Sequence, residues 1–336
     1  MTIEFPSAEQ RWNLLYVFEE RHPQDLRDLV YNSLPQKHFV VERMTYLTPH
    51  EEKRAKLRWA HLAFFAPGRH LDNDLFADAE HIRLMQIWSS GYDKFNVAAA
   101  ARHRIPVANN GGANRIAVAE HTILLMLAVY KKLPEAHART VEGRWGGNSH
   151  GMDMFLLYRK TLGLIGLGAI GRAVAERAKG FGMRIIYHDI KRAPPEVEAQ
   201  LGVEYCSFED VVRQSDILSP HLHLDENTRN MIGRREIAMM KPRAVIINVS
   251  RGELVDTDAL YEALIDKRLG GAGFDVYAKE PTVAGDPLLN HPNVVCTPHM
   301  ACTYDTHVMA LEASVENLLR VKMNQKPLWV VNGVTA

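Results

Sequence analysis

The apolar positions of this chain fall into short, nearly continuous runs separated by segments with helical spacing. LLYVF (14–18), HFVV (38–41), HLAFF (61–65), RLMQIW (83–88) and IPVAN (105–109) read as strands, mostly buried on both faces. Between them, PQDLRDLVYNSL, TPHEEKRAKL, DNDLFADA and DKFNVAAAARH carry helix-start residues and a helical period. Strands alternating with helices predict right-handed crossovers and a parallel sheet. A long helix is expected from about Asn114 to Lys132, with VAEHTILLMLAVYKK amphipathic and packed on a core.

The glycine-rich EGRWGGNSHG (142–151) leads into a second block of the same kind. Its strands are TLGLI (161–165), RIIYH (184–188), DILSPHL (216–222), AVIINV (244–249), GAGFDV (271–276) and NVVCT (293–297). A closing helix is expected from about Thr303 to Met323. The fold class is α/β, with two Rossmann-like, doubly wound parallel sheets.

Composition acts mainly by exclusion. A chain of 336 residues is too long for one small core and suits two domains. Forty Lys and Arg balance forty Asp and Glu, so no net field draws the protein to nucleic acid or an anionic membrane. The longest apolar run, ILLMLAVY at 123–130, is far short of the ~20 residues that cross a bilayer. MTIEFPSAEQ has neither the basic nor the apolar region of a secretory signal. Three cysteines make no disulfide framework, and a cytoplasmic location is expected.

Gly166-Leu167-Gly168-Ala169-Ile170-Gly171 follows a buried strand and opens the helix IGRAVAERAKGF. In that setting Gly166 allows the tight turn, Gly168 lets a pyrophosphate approach the backbone, and Gly171 lets helix and strand pack closely. The helix N-terminus favours the negative charge. Asp189, at the end of RIIYH, stands where a carboxylate bonds the adenosine ribose and repels a 2′-phosphate. NAD is therefore expected over NADP, with Lys191 and Arg192 able to soften the preference.

Ligands bind open α/β sheets beyond the C-terminal strand ends, where Arg251, Glu280 and His299 all lie. Singly, they read as a surface cation, a loop carboxylate and a structural histidine. Together they are complementary. An imidazole carries a proton either way near neutrality, a carboxylate behind it orients the ring and stabilises imidazolium, and a guanidinium grips a substrate carboxylate. Such a triad suits hydride transfer on a substrate with an acid group next to an oxygen-bearing carbon. His299 lies between Cys296 and Cys302, so zinc binding and a Cys302 nucleophile are the alternatives. The proton-carrier reading is preferred because a fourth metal ligand is not evident and this oxidation needs no covalent intermediate. Cys296, within NVVCT, is expected as a small buried hydrophobe.

At this point the chain resembles the D-isomer-specific 2-hydroxyacid dehydrogenases. The resemblance rests on TLGLIGLGAIG (161–171), DENTRNMIG (225–233), MKPRAVIINVSRGELVDTDAL (240–260), GAGFDVYAKEP (271–281) and NVVCTPH (293–299). It implies a hydroxyacid/ketoacid oxidoreductase with NAD or NADP, two Rossmann-like domains and a cleft between them. Arg251 matches the family's substrate arginine, Glu280 and His299 its Glu–His pair, and Asp275 its contact to the nicotinamide carboxamide. His221 and Val249 are expected in the cofactor wall. Ser90 and Gly91, in SSGYDKFNV, match its carboxylate-binding loop, and the segment NNGGANRIAVAEHT leads into the interdomain helix. The implied domains are 1–114 with 304–336 for substrate (flavodoxin-like) and 115–303 for cofactor. A homodimer is implied, partly through the long helix. The chain departs from the family at His221-Leu222-His223, at Leu156 and Arg159, and at MACTYD after His299. Two other readings keep the scaffold: oxidation of a small oxyanion such as formate or phosphite, or NAD(H) sensing without catalysis.

Overall fold

Each apolar run expected as a strand joins a parallel sheet, where burial on both faces demands such runs. The computed structural model describes residues 9–66, 71–146 and 151–335. They form two compact units, one made of 1–114 with 304–336 and the other of 115–303.

The first unit contains β1 (Trp12–Phe18), α1 (Gln24–Ser33), β2 (Phe39–Thr45), α2 (His50–Trp59), β3 (Leu62–Phe65), β4 (Met85–Ile87), α3 (Val97–Arg102) and β5 (Val107–Ala108). The second contains α4 (Arg115–Tyr130), α5 (Leu133–Val141), β6 (Thr161–Ile165), α6 (Ala169–Gly180), β7 (Arg184–His188), α7 (Pro195–Leu201) and β8 (Val203–Tyr205). It continues through α8 (Phe208–Gln214), β9 (Ile217–Pro220), α9 (Arg234–Met239), β10 (Val245–Asn248), α10 (Thr257–Ile265), β11 (Gly271–Phe274) and β12 (Val294–Cys296). Helix α11 (Tyr304–Lys322) then returns to the first unit.

The first sheet has the order β2-β1-β3-β4-β5, that of flavodoxin-like folds. Leu14, Tyr16, Leu62, Phe64 and Leu84 pack against Ala310, Leu311, Leu318 and Val321 of α11. Helix α11 and the chain after it are both stitched to this sheet: Asn317 Nδ2 donates to Gln86 Oε1 at 2.7 Å, and Val331 N–H to the Val107 carbonyl at 2.8 Å.

The second sheet runs β12-β11-β10-β9-β6-β7-β8. Its order reverses between β6 and β9, the switch point at which this topology binds ligands. Helix α4 is buried round most of its circumference, unlike the amphipathic stripe expected, because it packs on both α6 and the β10–β12 side of the sheet. Asn73–Ala79 forms 3-10 turns where an α-helix is expected, and α5 follows α4 in the stretch before the glycine-rich loop, for which no element is expected.

Candidate active site

The glycine turn is closed by backbone. Gly166 has φ +96°, and a Cβ on it would lie 2.6 Å from the His221 carbonyl oxygen. A Cβ on Gly171 would lie 2.3 Å from the Gly166 carbonyl oxygen. Gly168 differs, since a Cβ there meets nothing within 4 Å. Gly168 and Ala169 are exposed, and Ile170 packs half-buried on the core. Gly168 is also the N-cap of α6 and supplies no side-chain cap, which leaves the first helical N–H groups for an anion.

Asp189 comes directly after β7. Its carboxylate accepts the Leu167 N–H at 2.7 Å and the Lys191 N–H at 3.2 Å, so it is fastened to the glycine turn. His221 follows β9, with Nε2 3.1 Å from Ser219 Oγ. Its Nδ1 is buried without a hydrogen-bond partner among the described residues. Burial pushes this imidazole down to about 4, which keeps it neutral. The open face at Gly168, the uncapped helix, the carboxylate and this orphaned nitrogen together fit a dinucleotide. Val249 lies in the hydrophobic core just after β10.

The second cluster lies past β10, β11 and β12. Gly252 lets the chain after β10 pass close to the segment before Glu280: a Cβ on Gly252 would sit 2.0 Å from the Tyr277 carbonyl carbon and 2.1 Å from Ala278 N. Arg251 is half-buried, and its Nη1 donates to the Ser250 carbonyl at 2.6 Å. Tyr277 N–H donates to Glu280 Oε1 at 3.1 Å. His299 Nδ1 is 3.0 Å from each Glu280 oxygen. The imidazole is half-exposed.

His299 has φ +54°, a left-handed backbone that a histidine rarely adopts. Asp275 holds it there. This fully buried carboxylate accepts the Met300 N–H at 2.8 Å, the Ala301 N–H at 3.0 Å and the Thr297 hydroxyl at 2.6 Å. His121 Nε2 of α4 lies 2.9 Å from the same hydroxyl and 3.4 Å from Asp275. Burial alone would raise the Asp275 carboxyl. The hydrogen bonds from His121, Thr297, Met300 and Ala301 overcome it and hold the group below the usual carboxylate range.

Cys296 corrects the expectation of a buried thiol. It is exposed, because β12 is the sheet's edge strand and the pattern NVVCT does not reveal that. Among the described residues, no three His, Cys, Asp or Glu are grouped to hold a metal.

Ser90 and Gly91 belong to the first unit. Ser90 Oγ reaches Asn110 Oδ1 at 2.6 Å and Asn114 Oδ1 at 2.5 Å, and Asn109 Nδ2 donates to the Ser90 carbonyl at 2.9 Å. Three asparagines of NNGGAN thus shape this loop. They, with Tyr277, Thr297 and His121, were not singled out in the sequence. The clustered asparagines beside glycines were the one available signal.

A family model described as D-isomer specific 2-hydroxyacid dehydrogenase, NAD binding domain, matches residues 123–301. The chain is 39% identical over 265 residues to a glyoxylate reductase of Korarchaeum cryptofilum, covering 78% of this chain and 80% of that protein. It is 38% identical over 295 residues to a D-3-phosphoglycerate dehydrogenase of Methanocaldococcus jannaschii, covering 87% of this chain and 55% of that one. The crystal structure of a glyoxylate reductase from Paecilomyes thermophila superposes with a TM-score of 0.80 at 29% identity, covering 96% of this chain and 98% of the other.

Proposed function

This chain belongs to the D-isomer-specific 2-hydroxyacid dehydrogenase family and is an NAD-linked hydroxyacid/ketoacid oxidoreductase; from that premise we propose that it reduces a small 2-keto acid such as glyoxylate. The glycine turn and Asp189 would hold the dinucleotide, which would supply the hydride chemistry when bound. Arg251 grips the substrate carboxylate with its planar fork and polarises the carbonyl. His299 moves the proton at Nε2: as imidazolium it donates to the carbonyl oxygen, and in the reverse direction it accepts the hydroxyl proton. Glu280 fixes the ring through Nδ1 and stabilises its charged form.

The observation that carries this reading is the 3.0 Å contact from His299 Nδ1 to both oxygens of Glu280, which leaves Nε2 for the substrate. NADH consumption across a panel of 2-keto acids tests it. His299→Ala is expected to lower kcat by roughly a hundredfold to ten-thousandfold while the thermal transition stays in place. Absence of turnover with every acid in the panel, using either NADH or NADPH, would sink the proposal.

NAD is the preferred cofactor in this reading. Asp189 opposes a 2′-phosphate, and Arg192 is engaged elsewhere by two hydrogen bonds to Glu198, each 2.8 Å. The protein acts as a homodimer in the cytoplasm, without nucleic-acid or membrane partners. A second copy would cover the exposed Leu133, Val141, Trp145, Met152, Leu156 and Tyr158.

A further inference from the structure

We propose that Glu198 is a specificity-determining residue: it holds Arg192 away from a 2′-phosphate and so fixes the preference for NAD over NADP. The inference rests on the NAD reading above and assigns it a second determinant besides Asp189.

Arg192 lies three residues after Asp189, on the loop leaving β7. Its planar fork of donors suits a phosphate better than the single ammonium of Lys191 does. That fork is occupied. Nε bonds Glu198 Oε1 and Nη2 bonds Glu198 Oε2, each at 2.8 Å. The guanidinium also lies 5.4 Å from the centre of the Tyr205 ring. A phosphate would have to compete with a two-point carboxylate contact before it gained anything from this cation.

The two partners are unequally fixed. The Arg192 side chain is 61% exposed and that of Glu198 only 12%. Glu198 is also held by the Tyr187 hydroxyl, which donates to Oε1 at 2.7 Å. Tyr187 is fully buried in β7, and its hydroxyl accepts the Ala193 N–H at 2.9 Å. The carboxylate is thus the anchored member, tied to the strand that carries Asp189. The Arg192 and Tyr187 hydrogen bonds push its carboxyl down to about 2, so it is ionised throughout the working range. Most exposed ion pairs do little. This one is bidentate, and its acid is fastened to the sheet.

Equilibrium binding of NADH and of NADPH, read by nicotinamide fluorescence, tests the latch in wild type, Glu198→Gln, Arg192→Ala and the double variant. Glu198→Gln is expected to tighten NADPH relative to NADH about tenfold, the scale of one charge-assisted hydrogen bond. The gain should vanish when Arg192→Ala is added. Glu198→Asp keeps the charge but shortens the reach, so it should show a smaller gain in the same direction. It also serves if the glutamine variant does not fold. An unchanged ratio in both Glu198 variants, or a gain that survives Arg192→Ala, overturns the latch. Wild-type protein that binds NADPH as tightly as NADH instead overturns the NAD preference on which the latch rests, whatever the variants do.

Discussion

Two loops leave the same sheet, and they are held in opposite ways. The turn after β6 is fixed by the absence of side chains: any Cβ on Gly166 or Gly171 would run into a carbonyl oxygen at 2.6 or 2.3 Å. The loop after β12 is fixed by adding a charge to the core, where Asp275 gathers two backbone N–H groups and a hydroxyl around His299. A pyrophosphate is the same in every dinucleotide, so a purely steric cradle serves it. In the proposed reaction His299 would have to be aimed, and one buried carboxylate supplies the hydrogen bonds that fix the backbone on either side of it. Such a carboxylate is tenable only when fully hydrogen-bonded.

The largest expected effect breaks the steric loop. Gly171→Ala forces the turn apart and should lower stability by about 3 kcal/mol, the upper range for overpacking, visible as a fall in Tm. A variant that melts with the wild type would show that the turn is not sterically locked. Next comes the electrostatic loop. Asp275→Asn places amide donors against backbone donors and should reduce kcat roughly thirtyfold with little change in KM, on the scale of one mispaired buried group. The direction of its pH dependence also follows. Because the folded carboxyl lies below its ordinary value, its stabilisation is present above the unfolded pKa and is lost as pH falls through the folded one. Acid titration of the asparagine variant should lack that contribution. A kcat equal to wild type would remove Asp275 as the positioning group for His299. The smallest effect sharpens the contrast within the glycine turn itself. Gly168→Ala should melt normally yet bind the dinucleotide about tenfold more weakly, through loss of roughly one hydrogen bond's worth of approach. Unchanged binding would move the pyrophosphate elsewhere.

Much of this was legible in the chain. Strands of doubly covered parallel sheets announce themselves as apolar runs, and so β1, β6 and β10 stand out. Asp189, Arg251, Glu280 and His299 stand out because strand ends are where such sheets bind ligands. What stayed hidden depends on sheet order and on contacts distant in sequence. Gly252 reads as an ordinary loop glycine until Tyr277 and Ala278 are seen against it. Cys296 looks buried until β12 proves to be an edge. His121 looks like one more residue of an apolar helix until Thr297 appears beside it. Arg192 reads as a free cation until Glu198 is found on it.

The return of α11 to the first unit sets an order of events on the ribosome. Synthesis proceeds from the N-terminus, and domains ordinarily fold in that order. Here residues 115–303 are translated in full before α11 emerges, so the unit begun first is completed last. Until then Leu14, Tyr16, Leu62, Phe64 and Leu84 lack the helix that covers them. The nascent chain therefore carries an open hydrophobic face for more than half of its synthesis.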